Sequence, residues 1–257
     1  MLKIHWQKYI FYGLATLLIS SCSNQETQEK TETLGFDVVD TLSYNDLIEK
    51  TEISDTLEQR LIAHGLVDVQ SINPKIRVDL KYSTEDNFMR TNVYGSLRRA
   101  YLQPEVAAKL SQAQEALSEI DSNLFLLVYD AVRPQWVQFV MWNLLDTIPI
   151  HQRTKFVSNP SRGSVHNYGA AVDLTICDRY GFPLDMGAEF DDIREQAYPS
   201  KETHFLQRGE LNELQIKNRQ LLRKVMKSAG FNNIPTEWWH FNAYSREIAK
   251  SKFQIIP

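Results

Sequence analysis

The sequence predicts an α+β fold in which a small central antiparallel sheet is flanked by helices. Segments with the apolar spacing of helices and segments of strand length are mixed along the chain. They do not follow the regular βαβ alternation that builds a parallel sheet. There is no internal repeat and no sustained heptad pattern, which argues against a solenoid or a coiled coil.

The composition predicts one ordinary globular domain. The chain has 257 residues, of which 43% are hydrophobic and 23% are charged. A chain of this size can bury a single sizeable core. The net charge is -4 and no long basic run is present, which argues against nucleic acid as a partner. No sequence feature indicates a protein partner.

The N-terminus has the pattern of an export signal. An apolar run over residues 10–19 follows basic residues and leads into small residues that end at Cys22. The sequence Ile19-Ser20-Ser21-Cys22 resembles the bacterial lipobox, which implies a lipoprotein signal peptide over residues 1–21 and a lipidated Cys22. In the alternative, an ordinary signal peptide, Cys22 is incidental. If Cys22 is acylated, Cys177 has no cysteine partner for a disulfide.

The segment after Cys22 is predicted to be a tether. Residues 23–33 contain no apolar residue, and residues 34–59 are acidic and only weakly periodic, which indicates short helices or irregular chain. We therefore divide the mature chain into a tether and irregular segment over residues 22–60 and a folded domain over residues 61–257.

In the first half of the domain, the spacing of apolar residues and the positions of turn-forming residues predict two strands and a helix. Alternating apolar residues over 76–82 predict a half-buried strand, and 87–97 is predicted to be mostly loop. Pro104 can open a helix, and apolar residues at spacings of three and four continue to Ile120. Residues 124–128 form a continuous apolar run, which predicts a buried central strand.

The second half is predicted to hold two helices and another strand. Pro134 can occupy the first turn of a helix that extends to about Leu145. Residues 170–176 have the character of a strand. A long helix is predicted over residues 210–228, because its apolar residues share one face and Gly230 follows as a helix stop.

Two histidines and one aspartate are candidate metal ligands. His166 and Asp173 are seven residues apart, which places them on opposite faces of a regular strand, so the chain must turn between them. Gly169 permits such a turn. With His240, this set offers two imidazoles and one carboxylate, which can hold Zn²⁺ and leave a fourth position for water.

Glu237 and His240 lie close together in sequence, three residues apart. Such a pair shares a face on a helix or tight turn but splits across a flat strand, and Pro235 favours a turn or irregular entry. Glu237 would be the base acting on the water. Trp238 and Trp239 could fix the geometry of the site and limit water access, and a role in core packing is compatible with this.

Each candidate has a simpler explanation when taken alone. A lone histidine is more often hydrogen-bonded or exposed than metal-bound, and Asp173 could cap a turn. Arg133, at the end of a buried strand, could form a structural ion pair, and Asp191 with Asp192 could form a solvated acidic turn. The joint pattern Ser-x-His-x-x-Gly-x-Ala-x-Asp, followed by Glu-x-x-His, is restrictive enough to outweigh these alternatives.

This pattern resembles the D-alanyl-D-alanine dipeptidases, within the zinc D,D-peptidase superfamily. The resemblance extends from about Leu66 to the C-terminus and includes residues 78–82, 130–134 and 186–191. It implies the zinc D,D-peptidase (hedgehog/D,D-peptidase-like) fold and makes residues 61–257 the catalytic domain. It also implies one Zn²⁺ per chain.

The resemblance implies a chemical role for five residues. His166, Asp173 and His240 bind zinc, and Glu237 is the general base that activates the zinc-bound water. Arg133, together with zinc, stabilises the oxyanion that forms when the peptide carbonyl is attacked.

The implied substrate is D-Ala-D-Ala or a related peptidoglycan peptide. Ser164 is assigned to its C-terminal carboxylate and Asp191 to its N-terminal ammonium. A lipidated Cys22 would attach the enzyme to a membrane of the bacterial cell envelope. The nearest alternative is a D,D-carboxypeptidase or L,D-endopeptidase acting on stem peptides. A non-catalytic peptidoglycan-binding lipoprotein is the other alternative, against which Glu237 and the complete ligand set count.

Overall fold

The computed structural model describes residues 54–257. The predicted signal peptide, the lipidation site Cys22 and most of the predicted tether lie outside the described residues. The first described element is helix α1 (Ser54–Ala63), in the segment where short helices or irregular chain were expected. No helix among the described residues combines the length and the hydropathy needed to cross a membrane.

A five-stranded sheet forms the centre of the domain. Its strands are arranged in the order β2, β4, β5, β7, β6. Their bounds are β2 (Arg77–Val78), β4 (Phe125–Asp130), β5 (Ala171–Cys177), β6 (Asn232–Ile234) and β7 (Glu237–Asn242). A separate two-stranded antiparallel sheet pairs β1 (Val67–Asp68) with β3 (Tyr101–Leu102).

The prediction of an antiparallel sheet is wrong at one edge. β2 pairs with β4 in parallel, whereas the other three pairs are antiparallel. Between β2 and β4 the chain passes through helix α3 (Pro104–Ile120), and a crossover of this length is what two parallel neighbours need. The α+β class is confirmed, and the sheet is mixed.

The three predicted helices are present with small changes at their ends. They are α3, α4 (Gln135–Leu144) and α7 (Glu213–Ser228). The shorter helices are α2 (Val69–Ile72), α5 (Ile150–Arg153), α6 (Glu202–Gln207) and α8 (Arg246–Lys252). The strands predicted over 124–128 and 170–176 are also present, as β4 and β5.

The strand predicted over residues 76–82 is largely wrong. Only Arg77–Val78 is a strand, and residues 81–83 form a 3-10 turn closed by a hydrogen bond from Ser83 N to Leu80 O. This turn directs Tyr82 into a buried aromatic cluster, where its ring meets that of Tyr94 edge to face at 5.9 Å. Packing of one aromatic residue therefore ends the strand.

The two faces of the sheet have different coverings. On one face, α3 buries Val106 and Leu110 in the main hydrophobic core with Leu126 of β4. On the other face, Leu127, Tyr129 and Cys177 form a smaller cluster with Phe125 and Phe190. Asp173 and Thr175 share this second face, because alternate residues of β5 point the same way. The candidate site lies here.

Candidate metal centre and its cavity

The three predicted metal ligands meet on the second face of the sheet. Asp173 of β5 lies directly opposite His240 of β7, and His166 reaches them from the 3-10 turn at residues 165–168. His240 Nδ1 is 2.9 Å from Asp173 Oδ1 and 3.1 Å from His166 Nε2. The distance from His166 Nε2 to Asp173 Oδ1 is 3.3 Å. The three buried side chains could hold a metal ion.

The predicted turn between His166 and Asp173 is confirmed. Gly169 ends the 3-10 turn with φ of +63°, in the left-handed region, and the chain then enters β5. A Cβ at position 169 would lie 2.9 Å from Leu66 Cδ2. Both the conformation and the close packing therefore require glycine here.

Glu237 and His240 share the cavity although both lie in β7. Pro235 does precede them in a turn, as expected, but the pair itself is in a strand and not in a turn. The register between β6 and β7 shifts between Asn233 and Ile234, which marks a bulge. Asn233 Nδ2 donates to the carbonyl oxygens of Glu237 and His240, at 2.8 Å each. Such a bulge can re-aim side chains, which accounts for an i, i+3 pair on one face.

The hydrogen bonds around the cluster leave its inner atoms available to a metal. Ala131 O lies 2.6 Å from His166 Nδ1, and Asn242 Oδ1 lies 3.0 Å from His240 Nε2. These acceptors favour N–H on the outer nitrogens, so the inner nitrogens are the ligand atoms once a metal displaces any proton there. Ligands about 2.0–2.1 Å from zinc in a tetrahedral site are about 3.3 Å apart. The observed separations and donor types fit such an ion.

Electrostatics within the cluster favour an ionised Asp173. Burial alone would raise the pKa of the Asp173 carboxyl, but His166 and His240 hold that pKa well below its usual range. Burial alone would lower the pKa of His240, but the hydrogen bond and charge of Asp173 raise it to about 9. The same carboxylate therefore stabilises a proton or a metal cation at this point.

Glu237 is half-buried at the edge of the cluster. Its Oε2 lies 3.9 Å from His240 Nδ1. Burial raises the pKa of the Glu237 carboxyl, and the nearby histidines only partly offset this effect. A carboxylate with a raised pKa beside a metal centre is suited to accept a proton from water and return it.

Arg133 is both a structural ion pair and part of the cavity. Asp130 accepts hydrogen bonds from Arg133 Nε, at 2.9 Å, and from Nη2. Nη2 also lies 3.6 Å from Asp173 Oδ2. Burial alone would lower the pKa of Arg133, but the charge of Asp130 raises it well above its usual value. The guanidinium is therefore a fixed positive charge next to the cluster.

Ser164 and Asp191 lie at separate points of the cavity wall. Ser164 Oγ accepts a hydrogen bond from His166 N at 3.3 Å. Asp191 accepts one from the Tyr82 hydroxyl at 2.9 Å, and its φ is +61°. Burial raises the pKa of the Asp191 carboxyl well above its usual range, and the charge of Asp173 adds to this effect. Asp192 instead pairs with Arg194.

One cavity of about 370 Å³ contains every residue predicted for the site. Its lining includes the three ligands, the candidate base and arginine, and the two candidate end clamps. These residues are Arg133, Ser164, His166, Asp173, Asp191, Glu237 and His240. They come from distant parts of the sequence, so their convergence is a property of the fold.

The residues that hold these groups in place were given no role from the sequence. Asp130 is completely buried, and its Oδ1 accepts from the Tyr94 hydroxyl at 2.6 Å while its Oδ2 binds Arg133. A bulge in β4 lets Asp130 pair with Asp173. The three-residue spacing from Asp130 to Arg133 was an available signal. The resemblance to the family also includes Tyr94-Gly95, although it gave Tyr94 no role, and nothing in the sequence alone pointed to Asn242.

The fold and the site together define the class of protein. One cavity of an α+β domain holds a His-Asp-His cluster with a neighbouring carboxylate and arginine. These are the groups that a metallopeptidase active site requires. Residues 62–256 match the family model described as D-ala-D-ala dipeptidase. The chain belongs to this family of metallopeptidases, which confirms the resemblance drawn from the motifs.

Curated relatives have the same description. The chain is 34% identical to the D-alanyl-D-alanine dipeptidase of Escherichia coli (strain K12), over 74% of this chain and 86% of the relative. It is 31% identical to the D-alanyl-D-alanine dipeptidase of Enterococcus faecium, over 74% of this chain and 97% of the relative. A solved structure of the LdcB LD-carboxypeptidase aligns with 59% of this chain and 63% of that chain, at 19% identity and a TM-score of 0.37.

Proposed function

We propose that this protein hydrolyses the dipeptide D-Ala-D-Ala to two D-alanines with one zinc ion per chain. The observation that supports it most is the single cavity that joins the His166, Asp173 and His240 cluster to two polar groups at its wall, Ser164 and Asp191. The curated relatives named D-alanyl-D-alanine dipeptidase support this substrate.

The zinc ligands in this proposal are His166, Asp173 and His240. Bound zinc supplies a Lewis acid that polarises the peptide carbonyl and lowers the pKa of a water molecule. Glu237 takes a proton from the attacking water and passes it to the leaving amine, for which its raised pKa suits it. Arg133 faces the carbonyl oxygen as negative charge develops there, and Asp130 keeps the guanidinium in position.

The two ends of the dipeptide are bound by different groups. The Ser164 hydroxyl, which already accepts from His166 N, donates its hydrogen to the C-terminal carboxylate. Asp191 binds the N-terminal ammonium, and this positive charge stabilises a carboxylate that burial disfavours. A longer peptide has an amide in place of the ammonium and leaves Asp191 without a counter-charge.

A substrate panel tests the activity. Zinc-loaded protein is incubated with free D-Ala-D-Ala, with a pentapeptide that ends in D-Ala-D-Ala, and with muropeptides. We expect release of D-alanine from the free dipeptide and little from the longer substrates. Cleavage of only the longer substrates would establish a carboxypeptidase or endopeptidase instead, and cleavage of none would favour the peptidoglycan-binding lipoprotein.

We further propose that the enzyme is attached to a membrane of the bacterial cell envelope through a lipidated Cys22. The supports are the lipobox-like sequence before Cys22 and the polar segment that follows it. Mass spectrometry of the mature N-terminus should find an acylated cysteine, and an unmodified N-terminal peptide that continues through Cys22 would contradict this.

A further inference from the structure

A second cavity lies beside the reaction cavity on the same face of the sheet. Its volume is about 850 Å³. Tyr129 of β4 and Thr175 of β5 line it, and Thr175 is two residues along β5 from the metal ligand Asp173. Phe88 lines both cavities. Only a thin wall of side chains therefore separates the two spaces.

Phe190 is the main side chain of this wall. Its ring packs against Tyr82 and Trp239, which line the reaction cavity, with centroids 6.0 and 5.5 Å away. It also packs against Tyr129, which lines the second cavity, at 5.1 Å. The next residue, Asp191, lines the reaction cavity. The wall therefore stands directly beside the proposed ammonium site.

The chain just before Phe190 is fixed by contacts with β7 and α7. Trp238 Nε1 donates to Ala188 O at 3.1 Å, and Gln215 of α7 donates to Asp185 Oδ2 at 2.8 Å. Gly187 has a φ of +75°, in the left-handed region, and a Cβ there would lie 2.8 Å from Gln215 Cδ of α7, so this position favours glycine. Phe190 is held in place as part of the fold.

The second cavity has room and polar groups for a peptide residue. Thr175 contributes to its lining, and the buried Thr175 hydroxyl has no hydrogen-bond partner among the described residues. The charges in the lining balance, with three acidic and three basic side chains: Asp86, Asp185, Glu189, Lys81, Arg90 and Arg194.

We propose that Phe190 sets the substrate length. Its ring excludes peptide from the second cavity, which would otherwise accept the residue that precedes D-Ala-D-Ala in a longer peptide. This inference rests on the proposed function, because Asp191 marks where the N-terminus of the dipeptide lies. Two barriers then act together: Asp191 requires a free ammonium, and Phe190 blocks the path beyond it.

Kinetics with D-Ala-D-Ala and Gly-D-Ala-D-Ala separate the two barriers. Asp191→Asn removes the charge requirement but leaves the wall, so the tripeptide should remain a poor substrate. Adding Phe190→Ala opens the wall, and the ratio of kcat/KM for tripeptide over dipeptide should rise about tenfold or more above that of Asp191→Asn. Phe190→Leu, which keeps more of the packing, should give a smaller rise. The matched control is Phe182→Ala, which also lies between β5 and α6 but is 70% exposed. This substitution should not change the ratio.

The results distinguish this inference from the proposed function. Turnover of the dipeptide by the wild-type enzyme is measured first, and its absence would contradict the proposed function. In an active enzyme, an unchanged ratio after both Phe190 substitutions would overturn the inference, and so would a wild-type enzyme that cleaves both peptides equally well. Both Phe190 variants could instead bind zinc but turn over the dipeptide no faster than Glu237→Gln. The ring would then be needed to form the reaction site rather than to limit substrate length, which also overturns the inference.

Discussion

The site is assembled from two regions with different construction. Asp173, Glu237 and His240 lie in neighbouring strands of the central sheet, where backbone hydrogen bonds fix their separation. Asp191 lies in the covering segment, residues 178–194, which contains no helix and no strand beyond a single bridge. A backbone hydrogen bond from Leu184 N to Ile176 O ties its first part to β5, and the Trp238 side chain donates to Ala188 O nearer Asp191. In the proposed function, the sheet together with His166 of the adjoining 3-10 turn would hold the metal and the proton acceptor, and the covering segment would bind the ammonium end of the substrate.

Loss of a sheet ligand should have the largest effect. His240→Ala removes one of two imidazoles from the cluster, so we expect zinc to be lost and turnover to fall to the level of chelated wild-type protein. Metal analysis and D-alanine release measure the two losses. His204→Ala, at an exposed position in α6, is the control and should keep both. Full activity of His240→Ala without bound zinc would contradict the role of the sheet in holding the metal.

Glu237→Gln should separate metal binding from chemistry within the sheet. The amide cannot accept the proton of the attacking water, so kcat should fall by about 10²–10⁴-fold while zinc content stays at one per chain. Steady-state kinetics and metal analysis on the same sample give both values. The control Glu213→Gln, exposed at the start of α7, should behave as wild type.

Arg133→Lys should reduce the rate without affecting zinc. Lysine keeps the charge but cannot reproduce the two hydrogen bonds to Asp130, so its ammonium will not be aimed at the developing oxyanion. We expect kcat to fall by about 10²–10³-fold. Arg162→Lys, at an exposed position, provides the control. An effect confined to KM would place Arg133 with the substrate-selecting residues instead.

The pH dependence of stability should reveal the sheet cluster in metal-free protein. His240 has a pKa of about 9 when folded, against an ordinary value of 6.5, so its proton stabilises the fold fully below about pH 6.5. As the pH rises to 9, the free energy of unfolding should fall by up to about 3 kcal/mol. Urea unfolding at several pH values measures this. An equal fall in metal-free His240→Gln would assign the loss to another group.

Asp191→Asn should have the smallest effect and a different kinetic signature. A lost hydrogen bond to a charged group costs about 1.5–3 kcal/mol, so kcat/KM for the dipeptide should fall about 10–100-fold, mainly through KM. Zinc content should not change. Asp192→Asn, whose carboxylate is paired with Arg194, is the neighbouring control and should have less effect. A loss confined to kcat would contradict the division between sheet and covering segment.

Sequence analysis predicted the long elements and the site residues because both carry local signals. The helices α3 and α7 show apolar residues at helical spacing, β4 is an apolar run as far as Tyr129, and β5 is apolar except at Asp173 and Thr175. The site residues belong to a restrictive motif, and the structure brings them into one cavity.

The rest depended on tertiary packing that a sequence pattern does not encode. β2 is only two residues long because Tyr82 turns into an aromatic cluster, and its parallel pairing depends on the path of α3. The bulge in β7 depends on Asn233, which lies in the neighbouring strand and bonds two carbonyl oxygens of β7. The spacing of apolar residues within one strand cannot show such a contact between two strands.

One experiment tests the central claim most directly: zinc content and D-Ala-D-Ala turnover measured in the same samples of wild-type protein and Glu237→Gln. We expect one zinc per chain in both proteins. The wild type should release two D-alanines per dipeptide, and Glu237→Gln should lose nearly all turnover. Zinc-loaded Glu237→Gln that turns over the dipeptide at close to the wild-type rate, or a zinc-loaded wild type that leaves the dipeptide intact, would contradict the account.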